Sequence, residues 1–172
     1  GVVIDYVDPA NLVYSHTDSP FFDDIYYVGE VKSIPINELK KQFPYLDHDK
    51  LEEISKSSSG TFTNYYGHVS NKESDNNKVD VLYFNYKTYM NEVYKKKKSV
   101  TGGDKIIKKD DSFNPPENDN YEKLQKSVEC LYEGVLILGT DQLVKWEKAS
   151  NMMRPKSNYT KVKMNYAIVA PR

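Results

Sequence analysis

The run VDVLYFNYKTYMNEVYK, residues 79–95, decides more about the fold than any other part of the chain. In a strand, successive side chains point to opposite faces. Leu82, Phe84, Tyr86 and Thr88 therefore fall on one side, with Val81, Tyr83, Lys87 and Tyr89 mainly on the other. Both faces carry rings, and β-branched and aromatic residues suit a pleated, half-buried surface. A chain organised around such a strand is β-rich.

The rest of the sequence agrees. Val2–Val7 alternates around Asp5 and reads as a strand that Asp8-Pro9 stops, since proline lacks the ladder donor. Asn11–Tyr14 reads as a second short strand. Ser15–Pro20 follows as a turn, because Ser, Thr and Asp side chains bond nearby backbone. IYYVGEVKSI, from Ile25, is again extended, with Gly29 placed for a bulge. The period then changes to that of a helix. Ile36, Leu39 and Phe43 form an apolar stripe with Asn37 or Ser33 as a cap, and Pro44 ends it. A second helix over Asp47–Lys56 carries Leu51 and Ile54 on one face and opens with Asp47 and Asp49, near the positive end of the dipole. Ser57-Ser58-Ser59-Gly60 closes it.

Residues 70–78, SNKESDNNK, are polar without periodicity and read as an exposed loop or disordered tip. Residues 95–119 leave the strand pattern through a lysine tetrad, Gly102-Gly103, KIIKK and DDSFNPPENDN, and read as an inserted loop or arm, a small hairpin. Tyr121–Glu129 is compatible with a helix on its charges. From Val128, ECLYEGVLILGTDQLVKWEKA gives two strands about Gly139-Thr140-Asp141, a hairpin signature. Lys161–Ala170 is again alternating and extended. About eight strands, two short helices and no strand–helix–strand repeat make the class α+β, mainly antiparallel and β-rich.

Length and charge bound the function. At 172 residues one domain is the default. Lys+Arg of 24 against Asp+Glu of 25 removes the basic excess of a dedicated nucleic-acid binder, so any such contact must be local. One cysteine, Cys130, excludes an internal disulfide framework and any multi-cysteine zinc site. No run approaches the roughly 20 apolar residues that span a bilayer, so the chain reads as soluble, without a membrane partner. Both ends read as cut, which makes the chain a piece of a longer protein.

Candidate chemistry is sparse. His16, Asp18, Asp23 and Asp24 offer oxygen and nitrogen ligands to a cation, but their spacing matches no closed metal loop, and the turn reading is preferred. His16, His48 and His68 are scattered, and Cys130 lies in an apolar strand, so no nucleophile–base pair emerges. No phosphate-cradling glycine motif or nucleophile elbow occurs; no enzyme activity, cofactor or metal is expected. Lys95, Lys96, Lys97 and Lys98, with Lys105, Lys108 and Lys109, are the one candidate nucleic-acid site, where Tyr89 and Tyr94 could stack on bases. Asp104, Asp110 and Asp111 dilute that field, and a solvated loop is the competing reading. The 15 tyrosines fit strand packing with a wet hydroxyl, some of them at subunit contacts.

Two stretches carry a family resemblance. VDPANLVYSHTDSPFFDDIYYVGEVKSIPINELKKQFP resembles portal proteins of short-tailed phages, through a strand ending in Asp-Pro, a polar stretch, Tyr-Tyr-Val-Gly and a helix ending in Phe-Pro. YEGVLILGTDQLVKWEKASNMMRPKSNYTKVKMNYAIVAP is similar to the corresponding part of crAss-like portals, through YEG, LGTD and NMMRP. Residues 57–120 add nothing to the match and read as an insertion. The resemblance implies a wing-region fragment of a homo-oligomeric ring, commonly a dodecamer, at one capsid vertex of the virion, assembled in the host cytoplasm. Its implied partners are capsid and terminase proteins, the tail, and double-stranded DNA threading the channel; the ring itself hydrolyses nothing. Two alternatives stand beside it. One is a nucleic-acid-binding module using the lysine arm; the other is a carbohydrate-binding or hydrolytic β-domain in which Asp23 and Asp24 converge with other carboxylates in a cleft.

Overall fold

The computed structural model describes residues 4–57, 78–97, 102–114 and 121–167. In chain order these form β1 (Leu12–Tyr14), β2 (Tyr27–Pro35), α1 (Ile36–Gln42), α2 (His48–Ser57), β3 (Lys78–Lys97), β4 (Lys105–Lys109), β5 (Tyr121–Ile137) and β6 (Leu143–Lys148). Every ladder is antiparallel, in the order β1-β2-β3-β5-β6, with β4 added to β3. The α+β, β-rich class expected from the sequence is the class observed, with six strands among the described residues rather than eight.

The difference lies at the two ends. Residues 4–7 and 161–167 alternate in sequence but pair in no ladder. A strand needs a partner edge, and alternation supplies only the faces. Instead a 3-10 turn at Pro9–Asn11, capped by the Asp8 carboxylate accepting from the Ala10 amide at 2.9 Å, leads into β1. Residues 58–60, 70–77, 98 and 168–170, and with them Lys98, the expected polar loop and most of the serine–glycine stop, lie outside the described residues, as does His68.

One face of the sheet is covered by the helices. Leu39 of α1, Phe43 just after it, Leu51 and Ile54 of α2, and Leu46 between the helices pack on Val79, Val81, Val135, Ile137 and Val144. The apolar stripes expected for both helices are the buried ones. The α1 cap is not: Pro35 occupies that position with no side-chain hydrogen bond, so neither Asn37 nor Ser33 serves. A proline there arrives with its φ already set and needs no donor. Further along the same face Leu131 collects Ala149 and Val162, with Met152 and Met164 against them.

Beyond Tyr86 and Tyr132 the flanking strands stop, and β3 and β5 continue as a pair to Lys97 and Tyr121. The lysine run therefore extends β3 instead of leaving it, and Tyr121–Glu129 is strand, not helix. Residues 87–97, at about 3.3 Å each, make an arm about 35 Å long. Near its end β4 joins β3 from Val93↔Lys109 to Lys97↔Lys105, so the hairpin expected within 95–119 is present with β3 as its first strand. The base of the arm is tied to the segment after β6: Glu129 N–H donates to the Thr160 carbonyl (2.8 Å), Val162 N–H to the Glu129 carboxylate (2.8 Å) and Arg154 Nη2 to the Glu129 carbonyl (2.7 Å).

Candidate functional site

The polar corner after β1 is built as a turn. Ser15, fully buried, donates its amide to the Tyr27 carbonyl and accepts at Oγ from the Tyr26 amide, which closes the loop at its neck. At the tip the Asp24 carboxylate accepts from the Thr17 hydroxyl and from the Asp18 amide at 2.8 Å. His16 meets Asp18 at 3.0 Å with both side chains exposed, and no metal-binding group of three His, Cys, Asp or Glu side chains exists among the described residues. His16, Asp18 and Asp24 thus take part in the hydrogen bonding of a loop.

These hydrogen bonds favour the charged form of Asp24. Its pKa is lowered first by the Thr17 hydroxyl and then by the Asp18 amide. A depressed carboxylate pKa means that the corner is fully held above the ordinary aspartate range and loosens as pH falls through the lowered value. In an NMR titration the Asp18 amide should report a midpoint below that range. Thr17→Val should move the midpoint back toward it; no movement would refute the assignment.

The lysines of the arm are largely engaged. Lys95 Nζ sits 3.7 Å from the centroid of the Tyr121 ring, a cation–π contact, and Lys96 pairs with Asp104 at 2.9 Å and Glu122 at 3.9 Å. Lys108 meets Glu92 at 2.5 Å, and Lys109 lies over Phe113. The Glu92 pKa is lowered, first by Lys108 and then by Tyr94, and that of Lys96 is raised, first by Asp104. Three strands thus bring opposite charges together where the linear sequence shows a cationic block. Lys97 is exposed. Phosphate contacts would have to displace these pairs.

Cys130 is buried on β5, and burial pushes its thiol pKa up against the weaker pull of Lys148 and Arg154. A thiol held protonated is a poor nucleophile.

The feature that sequence reasoning missed is on the sheet face opposite the helices. In register, Gly29, Phe84, Gly134 and Trp146 lie side by side across four strands, with Tyr27, Tyr86 and Tyr132 as the next row. Tyr132 and Trp146 stack at 5.0 Å with planes 10° apart, while Phe84 and Tyr86 each sit about 6 Å from Trp146. Phe84 lays its ring on Gly134: a Cβ there would stand 2.3 Å from its Cζ. On its other side a Cβ on Gly29 would meet Phe84 Cβ at 2.6 Å and the Tyr83 carbonyl at 2.7 Å. Gly29 is therefore no bulge, and its ladder to β3 is continuous; it is a glycine because a side chain there would run into the Tyr83 carbonyl and the Phe84 Cβ of the neighbouring strand. The register irregularity is between Val135 and Leu136 instead.

No described element covers this row. Trp146 remains 46% exposed and Leu143 49%. The signal was available in sequence as Gly29, Phe84, Gly134 and Trp146, but it appears only once the register aligns them.

No family model matches the chain, and no curated protein matches it at a significant level.

Proposed function

We propose that this chain is a structural part of a larger assembly, the wing region of a phage portal ring at the capsid vertex. The observation that carries the reading is the aromatic row of Phe84, Tyr86, Tyr132 and Trp146 on a sheet face that no described element covers. Phe84, Tyr86 and Tyr132 are half-buried and Trp146 is exposed, and an aromatic surface left part-open in this way is a place for another protein to pack. The other face is tied down by two helices and the segment after β6, so the sheet presents this surface rigidly. The arm adds a second projection suited to reaching a neighbour. A ring closes when one surface of each subunit meets a different surface of the next, and a stiff sheet with an arm offers two such surfaces. The sequence resemblance of the opening and closing stretches supports the finer reading.

The test is imaging of the full-length protein encoded by the gene, together with its gene neighbourhood. A closed ring of about twelve subunits, with large-terminase and major-capsid genes alongside, is the expected result. A monomer with neither gene nearby would overturn the reading. Salt-dependent DNA binding lost on replacing Lys95–Lys98 with glutamine would replace it with the nucleic-acid alternative.

A further inference from the structure

Two short segments have the sequence of paired strands, yet each lacks a partner among the described residues. The first is Ile4–Asp8, IDYVD, which alternates like a strand but joins no ladder. Ile4 is 95% exposed and Tyr6 79%, values far from those of side chains resting on their own fold. The second is β4, KIIKK, which among the described residues pairs with β3 alone, its outer edge meeting no other described strand. Ile106 is 57% exposed and Ile107 41%. An open edge of this kind is a template for another chain.

The two segments complement one another over Asp5–Asp8. Laid antiparallel, Asp8 stands opposite Lys105, Val7 opposite Ile106, Tyr6 opposite Ile107 and Asp5 opposite Lys108. Both acids meet lysines, and Tyr6 and Val7 meet isoleucines, the pairings that stabilise cross-strand neighbours; the end pair is Ile4 opposite Lys109. The wider charges run the same way: residues 4–26 contain five aspartates and no lysine or arginine, while the arm is rich in lysine. Pro9 ends the donor segment where β4 ends its template, so the match has a defined length.

The same copy cannot supply both. Asp5 lies near Lys32 of β2, whose pKa is raised first by its hydrogen bond to Glu30 and further by the charge of Asp5. Lys32 pairs with Val81, whereas β4 begins to pair at Val93. Twelve residues of extended strand separate these points, about 40 Å. The 3-10 turn and β1 fix the donor at the far end.

We propose that Ile4–Asp8 of one copy adds as an antiparallel strand to the outer edge of β4 of the next copy. The occupant of the β4 edge is thus a second copy of this chain, by strand addition. The contact is heterologous, since donor and acceptor are different surfaces, and it propagates from copy to copy as a closing ring requires. It rests on the reading of the chain as part of an assembly and names the contact that reading leaves open.

Sedimentation velocity on the chain of residues 1–172 tests it. The unsubstituted protein is expected to self-associate. Asp5→Lys with Asp8→Lys, and separately Lys105→Glu with Lys108→Glu, should each weaken association on the order of a hundredfold, since like charges are then placed opposite one another. Mixing the two variants should restore association, because the lysine-bearing donor of one fits the glutamate-bearing edge of the other. Asp8 also caps the 3-10 turn and Lys108 also holds Glu92, so a second measurement stands apart from folding: Val7→Cys mixed with Ile106→Cys under an added thiol oxidant should give a mixed disulfide dimer that neither variant gives alone. Unchanged association in both charge variants, absence of the mixed dimer, or a monomeric unsubstituted chain would each overturn the proposal. A ring that persists with Asp5→Lys and Asp8→Lys would defeat strand addition and leave the assembly reading standing. Strand addition in a protein that builds no ring would do the reverse.

Discussion

Replacing Gly29 with alanine is expected to destabilise the protein by about 3 kcal/mol, the upper part of the usual range for forcing a methyl into a packed site. The added Cβ would stand 2.6 Å from Phe84 Cβ and 2.7 Å from the Tyr83 carbonyl oxygen, both anchored to the β3 backbone, so only a shift of the strand relieves it. Gly134→Ala should cost less, about 1–2 kcal/mol, because its close neighbours are the Cζ and Cε atoms at the far end of the Phe84 side chain, which can tilt away. The pair is separable by a double-mutant cycle in urea. Phe84→Ala removes the ring, so it should cancel most of the penalty of Gly134→Ala. It keeps the Cβ and the Tyr83 carbonyl, so it should leave the penalty of Gly29→Ala nearly intact. Equal rescue of both would mean that Phe84 does not lie between β2 and β5 as described.

Leu131→Ala and Leu39→Ala should each cost about 3 kcal/mol, within the range for emptying a fully buried leucine site. Against a typical total of 5–15 kcal/mol, either loss is large. They act on different parts of the same face. Leu39 is buried with α2 against Val79 and Val81, whereas Leu131 holds Ala149, Val162 and the two methionines. Limited proteolysis should therefore cut the segment 149–164 early in Leu131→Ala and not in Leu39→Ala. The two penalties should add to within about 0.5 kcal/mol, because the clusters share no residue. Early cleavage of that segment in both variants would show the face to be one cooperative unit.

The sequence was most legible where a local pattern also determines the contact. Alternation along residues 79–95 located β3, the spacing of Ile36, Leu39 and Phe43 located α1, and Gly139-Thr140-Asp141 located the turn between β5 and β6. It was least legible where the partner lies far away in the chain. Lys95 and Lys96 read as a break because consecutive cations are unfavourable in isolation, but Tyr121 and Glu122 come from β5 and Asp104 from the residue just before β4. Tyr121–Glu129 admitted a helix until the long β3 required an equally long partner. Residues 4–7 and 161–167 satisfied the alternation rule yet found no edge. For the candidate site, the corner at Ser15–Asp24 was read correctly as a turn, since Asx and hydroxyl chemistry is local. The aromatic row was not foreseen, because Phe84 and Trp146 become neighbours only through the register of three strands.

The buried thiol of Cys130 has a practical consequence. It is the sole cysteine, it sits on β5 beside the base of the arm, and its burial keeps it in the unreactive protonated form. In the native protein an alkylating reagent can reach it only during excursions that separate β5 from its surroundings. Its labelling rate is thus a clock for those excursions, ticking at a rate set by the free energy of opening. One intrinsic atom of sulfur times the opening of β5 at the base of the arm, with no probe added.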